Sequence, residues 1–141
     1  MQPEATAPQP IAANAITWTA AILVGLEGTG VAALAGWMMT ALIAGESMDL
    51  GTALALILMT VMGAVALFAF AVAILRDHGW GRSGAIVVQL LILAVSLGAV
   101  TGAYAHPLVA LALAVPAIVT LVAVIAAARA AGRRNAAAED S

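Results

Sequence analysis

Residues 16–39 read ITWTAAILVGLEGTGVAALAGWMM, a long apolar stretch that contains a single carboxylate, Glu27. No other charged residue lies between Glu4 and Glu46. About 20 apolar residues are enough for an α-helix to cross the hydrocarbon core of a bilayer. The stretch therefore predicts a membrane-spanning helix with one acidic side chain near its middle.

The composition of the whole chain indicates the same environment. Of its 141 residues, 65% are hydrophobic and 9% are charged, whereas soluble proteins are about half apolar and a quarter charged. A soluble domain of this size has too little interior to hide so much apolar surface, so lipid is the expected solvent. The formal net charge is −2 and no basic block occurs, which argues against nucleic acid as a partner. The absence of cysteine excludes disulfides, thiolate metal sites and a catalytic thiol.

Four apolar segments predict four membrane spans, at about 16–44, 50–75, 83–104 and 107–128. They are long and continuously apolar, without the alternation that a β-barrel requires. Because the connections are short, neighbouring spans must run antiparallel, which predicts an all-α, up-down-up-down bundle of four transmembrane helices. We expect this transmembrane domain to occupy residues 16–131.

The two ends of the chain are expected to lie outside the bundle. Residues 1–15 contain three prolines and no basic residue, so they predict a disordered tail. The first span then lacks the basic flank of a signal peptide, and we expect it to be retained. Residues 132–141 are predicted to form a polar C-terminal tail.

The arginines predict the orientation of the bundle. All five basic residues are arginine: two lie in the second connection, at positions 76 and 82, and three follow the fourth span, at positions 129, 133 and 134. With four spans, the second connection and both termini share one side of the membrane. By the positive-inside rule that side is the cytoplasm. We therefore expect a multi-pass protein of the bacterial cytoplasmic (inner) membrane, with both termini inside.

The tryptophans provide a depth scale, because tryptophan favours membrane interfaces. Trp18 and Trp37 are separated by about 28 Å of helix, nearly one hydrocarbon thickness, which places Glu27 close to the midplane. Gln89 follows Trp80 by the same nine residues that separate Glu27 from Trp18. Both spans run in the same direction, so the spacing predicts that Glu27 and Gln89 form a polar pair at one depth.

Aromatic and basic residues at the ends of the spans are predicted to anchor the bundle at the membrane interfaces. These anchors are Trp18, Trp37, Arg76, Trp80, Arg82 and Arg129. Asp77 and His78 in the same connection could also suggest acid–base chemistry. Anchoring accounts for every residue of that connection, RDHGWGRS (76–83), and is the interpretation we favour. His106, at the last turn, is likewise interpreted as interfacial.

Glu27 has two interpretations. Intramembrane carboxylates often serve as proton or cation relays. Alternatively, Glu27 is a neutral carboxylic acid, favoured by burial unless a cation is nearby, which hydrogen-bonds Gln89 and helps the helices recognise one another. A transport path normally needs several polar groups along its length, and the spans offer few. We therefore favour the structural interpretation.

Small residues on the first span form a second candidate feature. Gly28, Ala32 and Gly36 recur at four-residue spacing, a pattern that lets helix backbones approach closely. The stripe is either a packing surface within the bundle or a docking surface for another subunit, and the first is favoured. Pro116 is expected to kink the fourth span.

The segment WGRSGAIVVQLL (80–91) is similar to a pattern in small, uncharacterised four-span membrane proteins of actinobacteria. Those proteins have W-x-R-x-x-x-x-V-x-Q-L entering the third span and a carboxylate in the first. Trp80, Arg82, Val87 and Gln89 match the pattern, and Glu27 fits the first-span feature. The resemblance implies a four-span architecture and an actinobacterial source, but no activity. Small four-span accessory proteins of ATP synthases and respiratory complexes are a looser architectural analogy.

No sequence pattern indicates catalysis. The chain has no nucleophile–base pair, phosphate-binding glycine loop or metal-ligand spacing, so we expect neither an enzyme nor a cofactor or metal site. The favoured function is a structural or accessory role in the lipid bilayer, with the protein packing against itself or a larger membrane complex. The alternative is an oligomeric small transporter or a proton or ion channel built around Glu27.

Overall fold

The computed structural model describes residues 11–45, 49–101 and 105–139. These residues form four helices: α1 (Ile11–Ile43), α2 (Leu50–Leu75), α3 (Gly79–Thr101) and α4 (Pro107–Glu139). Each helix is long and apolar enough to cross a membrane. The prediction of an all-α protein with four apolar helices of membrane-spanning length is confirmed.

The helices pack in a ring, each mainly against two neighbours: α1 contacts α2 and α4, and α3 contacts the same two helices. Gly28 of α1 lies against Leu67, whereas Gly25, one turn earlier, lies against Ala71, one turn later in α2. Consecutive helices α1 and α2 are therefore antiparallel. The core between the helices consists mainly of small and β-branched side chains, with Val24 and Val124 fully buried, together with Leu67 of α2.

Three helix boundaries differ from the sequence prediction. Residues 11–15 belong to α1 and not to a tail, α3 begins at Gly79 and not at residue 83, and α4 continues to Glu139 through most of the predicted polar tail. The alanine-rich ends IAANA (11–15) and ARAAGRRNAAAE (128–139) have high helix propensity, which extends both helices beyond the apolar segments. The remaining parts of the predicted tails and the end of the third predicted span lie outside the described residues: 1–10, 140–141 and 102–104.

Local hydrogen bonds set both ends of α2. At its start, the backbone N–H of Thr52 donates to Asp49 Oδ2 at 2.9 Å, and the Thr52 hydroxyl donates to the same oxygen. The hydroxyl and then the amide of Thr52 lower the pKa of Asp49 below its usual range. At the other end, Asp77 adopts a left-handed conformation with φ of 59°. The His78 N–H then donates to the Ala73 carbonyl at 2.9 Å, which closes the helix and turns the chain into α3.

The start of α3 packs closely against the end of α2. A Cβ at Gly81 would lie 2.5 Å from the Ala73 Cβ and 3.0 Å from the Ile74 backbone nitrogen, and a Cβ at Gly84 would overlap the Phe70 ring. Only glycine allows the two backbones to come this close.

The stripe predicted on the first span packs only in part. Gly28 is buried, and a Cβ there would lie 3.2 Å from the Leu67 Cβ. Ala32 and Gly36 are exposed, and no heavy atom of a neighbouring residue lies within 4 Å of a Cβ built on Gly36. Ala32 and Gly36 both border a groove between α1 and α2. Of the three residues of the stripe, only Gly28 is therefore packed within the chain.

We predict that Gly81→Ala lowers stability, because its methyl group meets fixed backbone atoms. Overpacking of this kind costs about 1–3 kcal/mol. The matched control is Gly98→Ala on the same helix, where a Cβ meets nothing within 4 Å and the better helix propensity of alanine leaves stability unchanged or slightly higher. Thermal unfolding in detergent measures both variants. Equal midpoints for Gly81→Ala and Gly98→Ala would show that the α2–α3 contact is looser than described.

Candidate functional site

The carboxyl group of Glu27 is held by side chains from two other helices. Gln89 Nε2 in α3 donates a hydrogen bond to Glu27 Oε2. Thr120 Oγ1 in α4 donates to Glu27 Oε1 at 2.7 Å. Gln89 is 0% exposed and Thr120 is 1% exposed, whereas Glu27 is half-buried. Glu27, Gln89 and Thr120, here called the polar cluster, therefore connect α1, α3 and α4.

Thr120 is the member of the polar cluster that the sequence analysis missed. A signal for it exists in the spacing, because Thr120 precedes Arg129 by the same nine residues that separate Trp18 from Glu27 and Trp80 from Gln89. Nine residues span about 13 Å of helix. The helix α4 runs in the opposite direction to α1 and α3. Thr120, nine residues before Arg129, is therefore level with Glu27 and Gln89, which come nine residues after their tryptophans.

One atom of the polar cluster has no hydrogen-bond partner. Gln89 Oε1 is buried and accepts no hydrogen bond from the residues that the structure describes. Reversing the amide group would only exchange one unpaired atom for another, because the NH₂ group would then take the position that has no partner. A buried acceptor without a donor is uncommon and calls for a physical explanation.

A cavity of about 300 Å³ adjoins the polar cluster. All four helices contribute to its lining: Glu27, Gly30, Val31, Leu34, Leu67, Ile92, Leu113 and Pro116. Glu27 is the one polar side chain among these residues, and none of them is basic. Leu34 is more than half exposed, so the cavity reaches the surface that would face lipid. The Glu27 side chain therefore forms part of the wall of an otherwise apolar cavity.

Other polar side chains of the described helices form hydrogen bonds outside the polar cluster. Ser96 Oγ donates to the Ala110 carbonyl at 2.7 Å and connects α3 with α4. Several threonine hydroxyls donate to carbonyls of their own helix, at Thr19, Thr29, Thr40, Thr60 and Thr101. None of these hydrogen bonds reaches the polar cluster. These hydrogen bonds therefore do not extend the polar cluster.

A second polar group lies at the end of the bundle near the α2–α3 turn. Asp77 accepts hydrogen bonds from Arg82 Nη1 at 2.6 Å and from Arg134 Nη2 at 3.0 and 3.1 Å. The Arg82 side chain is only 12% exposed, so this predicted anchor is turned toward Asp77. The Asp77 side chain is 57% exposed, and such pairs contribute about 1 kcal/mol or less. The sequence analysis did not identify this contact of Arg134, because it assigned residues 132–141 to a polar tail. The contact requires α4 to continue through these residues.

The other predicted anchors lie on the outside of the bundle. Trp18, Trp37 and Trp80 are each more than half exposed, and Trp80 also packs edge-on against Phe70 with ring centroids 5.8 Å apart. The remaining anchors, Arg76 and Arg129, are exposed. Exposure of this kind suits contact with lipid headgroups, and their role at the interface stays a prediction.

The four apolar helices indicate a multi-pass membrane protein. Comparison of the chain with protein-family models, with curated proteins and with solved structures found no match. Across the described ranges 11–45, 49–101 and 105–139, no three His, Asp, Glu or Cys side chains come together as they do in transition-metal sites. Function therefore has to be argued from the polar cluster and the helix surfaces.

We predict that Glu27→Gln is tolerated better than Glu27→Leu. Glutamine can accept from Gln89 and donate to the Thr120 hydroxyl, so the helices remain connected. Leucine leaves two buried polar side chains unpaired, and each unpaired group costs about 1–3 kcal/mol. Folded yield and thermal unfolding in detergent measure the difference. If the two variants unfold together, the polar cluster adds nothing to the stability of the bundle.

Proposed function

We propose that the protein has a structural or accessory role in the membrane, packing with itself or with a larger membrane complex. The observation that carries this proposal is the polar cluster: the one carboxyl group at mid-depth is bonded to Gln89 and Thr120 within the chain. Hydrogen bonds between membrane helices fix how the helices associate, and each is worth about 0.6–2 kcal/mol. The cluster is thus suited to holding three helices in one arrangement.

The groove between α1 and α2 supports association with another helix. It has a volume of about 400 Å³ and is lined by small and apolar residues: Ala32, Ala35, Gly36, Met39, Ile57, Val61, Ala64, Val65 and Phe68. In lipid, helices associate by close packing of small residues, since apolar surface alone gives no driving force. The exposed Ala32 and Gly36 therefore favour contact with a second copy or with another subunit.

An oligomeric transporter, or a proton or ion channel around Glu27, is the second candidate. One observation favours it: Glu27 is half-buried and lines a cavity that reaches the surface. The walls of that cavity are otherwise apolar, so conduction would require polar groups from further copies of the chain. For this reason the structural role is the stronger proposal.

The predicted orientation is part of this proposal, with both termini in the cytoplasm of a bacterium and the helices in its inner membrane. The contact of Arg134 with Asp77 supports this orientation, because it brings the end of α4 to the same end of the bundle as the α2–α3 turn. The arginines of both segments are therefore on one side, as the positive-inside rule requires of the cytoplasmic side. The actinobacterial resemblance of residues 80–91 is consistent with such a membrane.

To test association, we expect Gly36→Leu to leave the fold intact and to reduce the amount of partner or second copy that purifies with the protein from its native membrane. The leucine enters open space in the single chain but obstructs a helix in the groove. The control is Ile22→Leu, at an exposed position of the same helix, which changes shape with little change in volume. Cross-linking in the membrane and mass spectrometry of the purified material measure association.

The same preparations separate the two candidates. A structural role predicts that proteoliposomes of the natural protein and of Glu27→Gln carry no more proton or ion flux than empty liposomes. Flux that Glu27→Gln abolishes would establish the transporter. Equal association of Gly36→Leu and Ile22→Leu would show that the groove faces lipid.

The orientation is tested with single cysteines, since the chain has no native thiol. Cysteines near residue 5, at positions 76–77 and near Ala137 should be shielded from an impermeant thiol reagent added to intact cells. A cysteine at Ser47 should react, because the connection between the first two helices is expected outside. Reaction at 76–77 in intact cells would reverse the orientation.

A further inference from the structure

The polar cluster contains the oxygen atoms of a cation site. Glu27 contributes two carboxylate oxygens, Thr120 contributes a hydroxyl oxygen 2.7 Å from one of them, and Gln89 contributes an amide group whose nitrogen already contacts the other. We propose that this cluster binds one monovalent alkali cation, such as Na⁺, between α1, α3 and α4. The inference goes beyond the structural role, which requires no ion.

The unpaired oxygen of Gln89 is the independent observation that points to a ligand. Gln89 is 0% exposed, its Nε2 donates to Glu27, and its Oε1 has no donor among the described residues. In one planar amide group, Oε1 lies beside the nitrogen that touches the carboxylate. Hard cations prefer carboxylate, carbonyl and hydroxyl oxygens. A cation next to the carboxylate would give Oε1 the partner that it lacks.

The charge of the site selects a monovalent ion. With its proton released, Glu27 would supply one negative charge. The residues that line its cavity or bond its carboxyl group from the other helices carry no charge: Leu67 from α2, Gln89 and Ile92 from α3, and Leu113, Pro116 and Thr120 from α4. A monovalent cation therefore makes the site neutral. A divalent cation would leave a net positive charge among apolar walls, which is unfavourable in a low dielectric.

The walls of the cavity indicate what the bound ion does. The residues that line the cavity together with Glu27 are apolar, so they offer a passing ion no polar groups to replace its water. The ion would therefore bridge three helices and would not cross the membrane along this cavity. Bound in this way, it stabilises the folded bundle by linkage, because it binds the folded state and not the unfolded one.

The test uses the full chain, purified in detergent at one mildly alkaline pH. Sodium chloride is compared with choline chloride at equal ionic strength, and thermal unfolding is followed. We expect the midpoint to rise with Na⁺ and to saturate. Glu27→Gln should abolish the rise, and Thr120→Val should weaken the apparent affinity about tenfold, as expected for loss of one ligand to a charged group. The control Ser96→Ala removes a buried hydroxyl outside the cluster and should keep the full response.

Binding is also measured directly on the natural protein, so that the conclusion does not depend on folding of the variants. Equilibrium dialysis with radioactive sodium should give one ion per chain. Absence of binding, together with equal midpoints in sodium and choline, would overturn the proposal. The partner of Gln89 Oε1 would then be an internal water molecule. A sodium response that survives in Glu27→Gln would equally overturn it, because the ion would then bind elsewhere.

Discussion

In hydrocarbon, a polar side chain can only be stabilised by another polar group that the protein brings to it. This constraint explains the arrangement of the four helices. No basic residue lines the cavity beside Glu27, and Gln89 and Thr120 approach its carboxyl group from α3 and α4. Their hydrogen bonds fix both the height and the rotation of three helices. The close contacts of α2 with Gly28 and Gly81 then position the fourth helix.

A regular spacing accompanies this arrangement. In every helix, the residue at the level of the polar cluster is nine positions from an aromatic or basic residue near the end of the bundle. The pairs are Trp18 with Glu27, Arg76 with Leu67, Trp80 with Gln89 and Arg129 with Thr120. Leu67 lines the cavity beside Glu27, so the regularity includes the helix that gives no polar group. The distance of about 13 Å corresponds to roughly half of the hydrocarbon thickness.

The helices and the contact of Glu27 with Gln89 were predictable from the sequence, because apolar length and unpaired polar groups are strong signals in a membrane protein. Thr120 was missed, because threonine can satisfy its hydroxyl on its own helix, as Thr29 and Thr60 do, and only its nine-residue spacing from Arg129 distinguishes it. The packing glycines were not predictable. Gly28, Gly36 and Gly81 look alike in sequence, and only the rotation of each helix determines which of them meets a neighbour. The true ends of α1 and α4 were missed because a change from apolar to polar residues indicates where a helix leaves the membrane and not where the helix itself ends.

The length of α4 has a mechanical consequence. Its 33 residues extend for about 50 Å, some 20 Å more than the hydrocarbon core. The surplus forms a stiff rod on the side of the α2–α3 turn, where Arg134 holds it to Asp77. Because one continuous helix joins this rod to Thr120, a rotation of the rod would also turn the Thr120 hydroxyl away from the Glu27 carboxyl group.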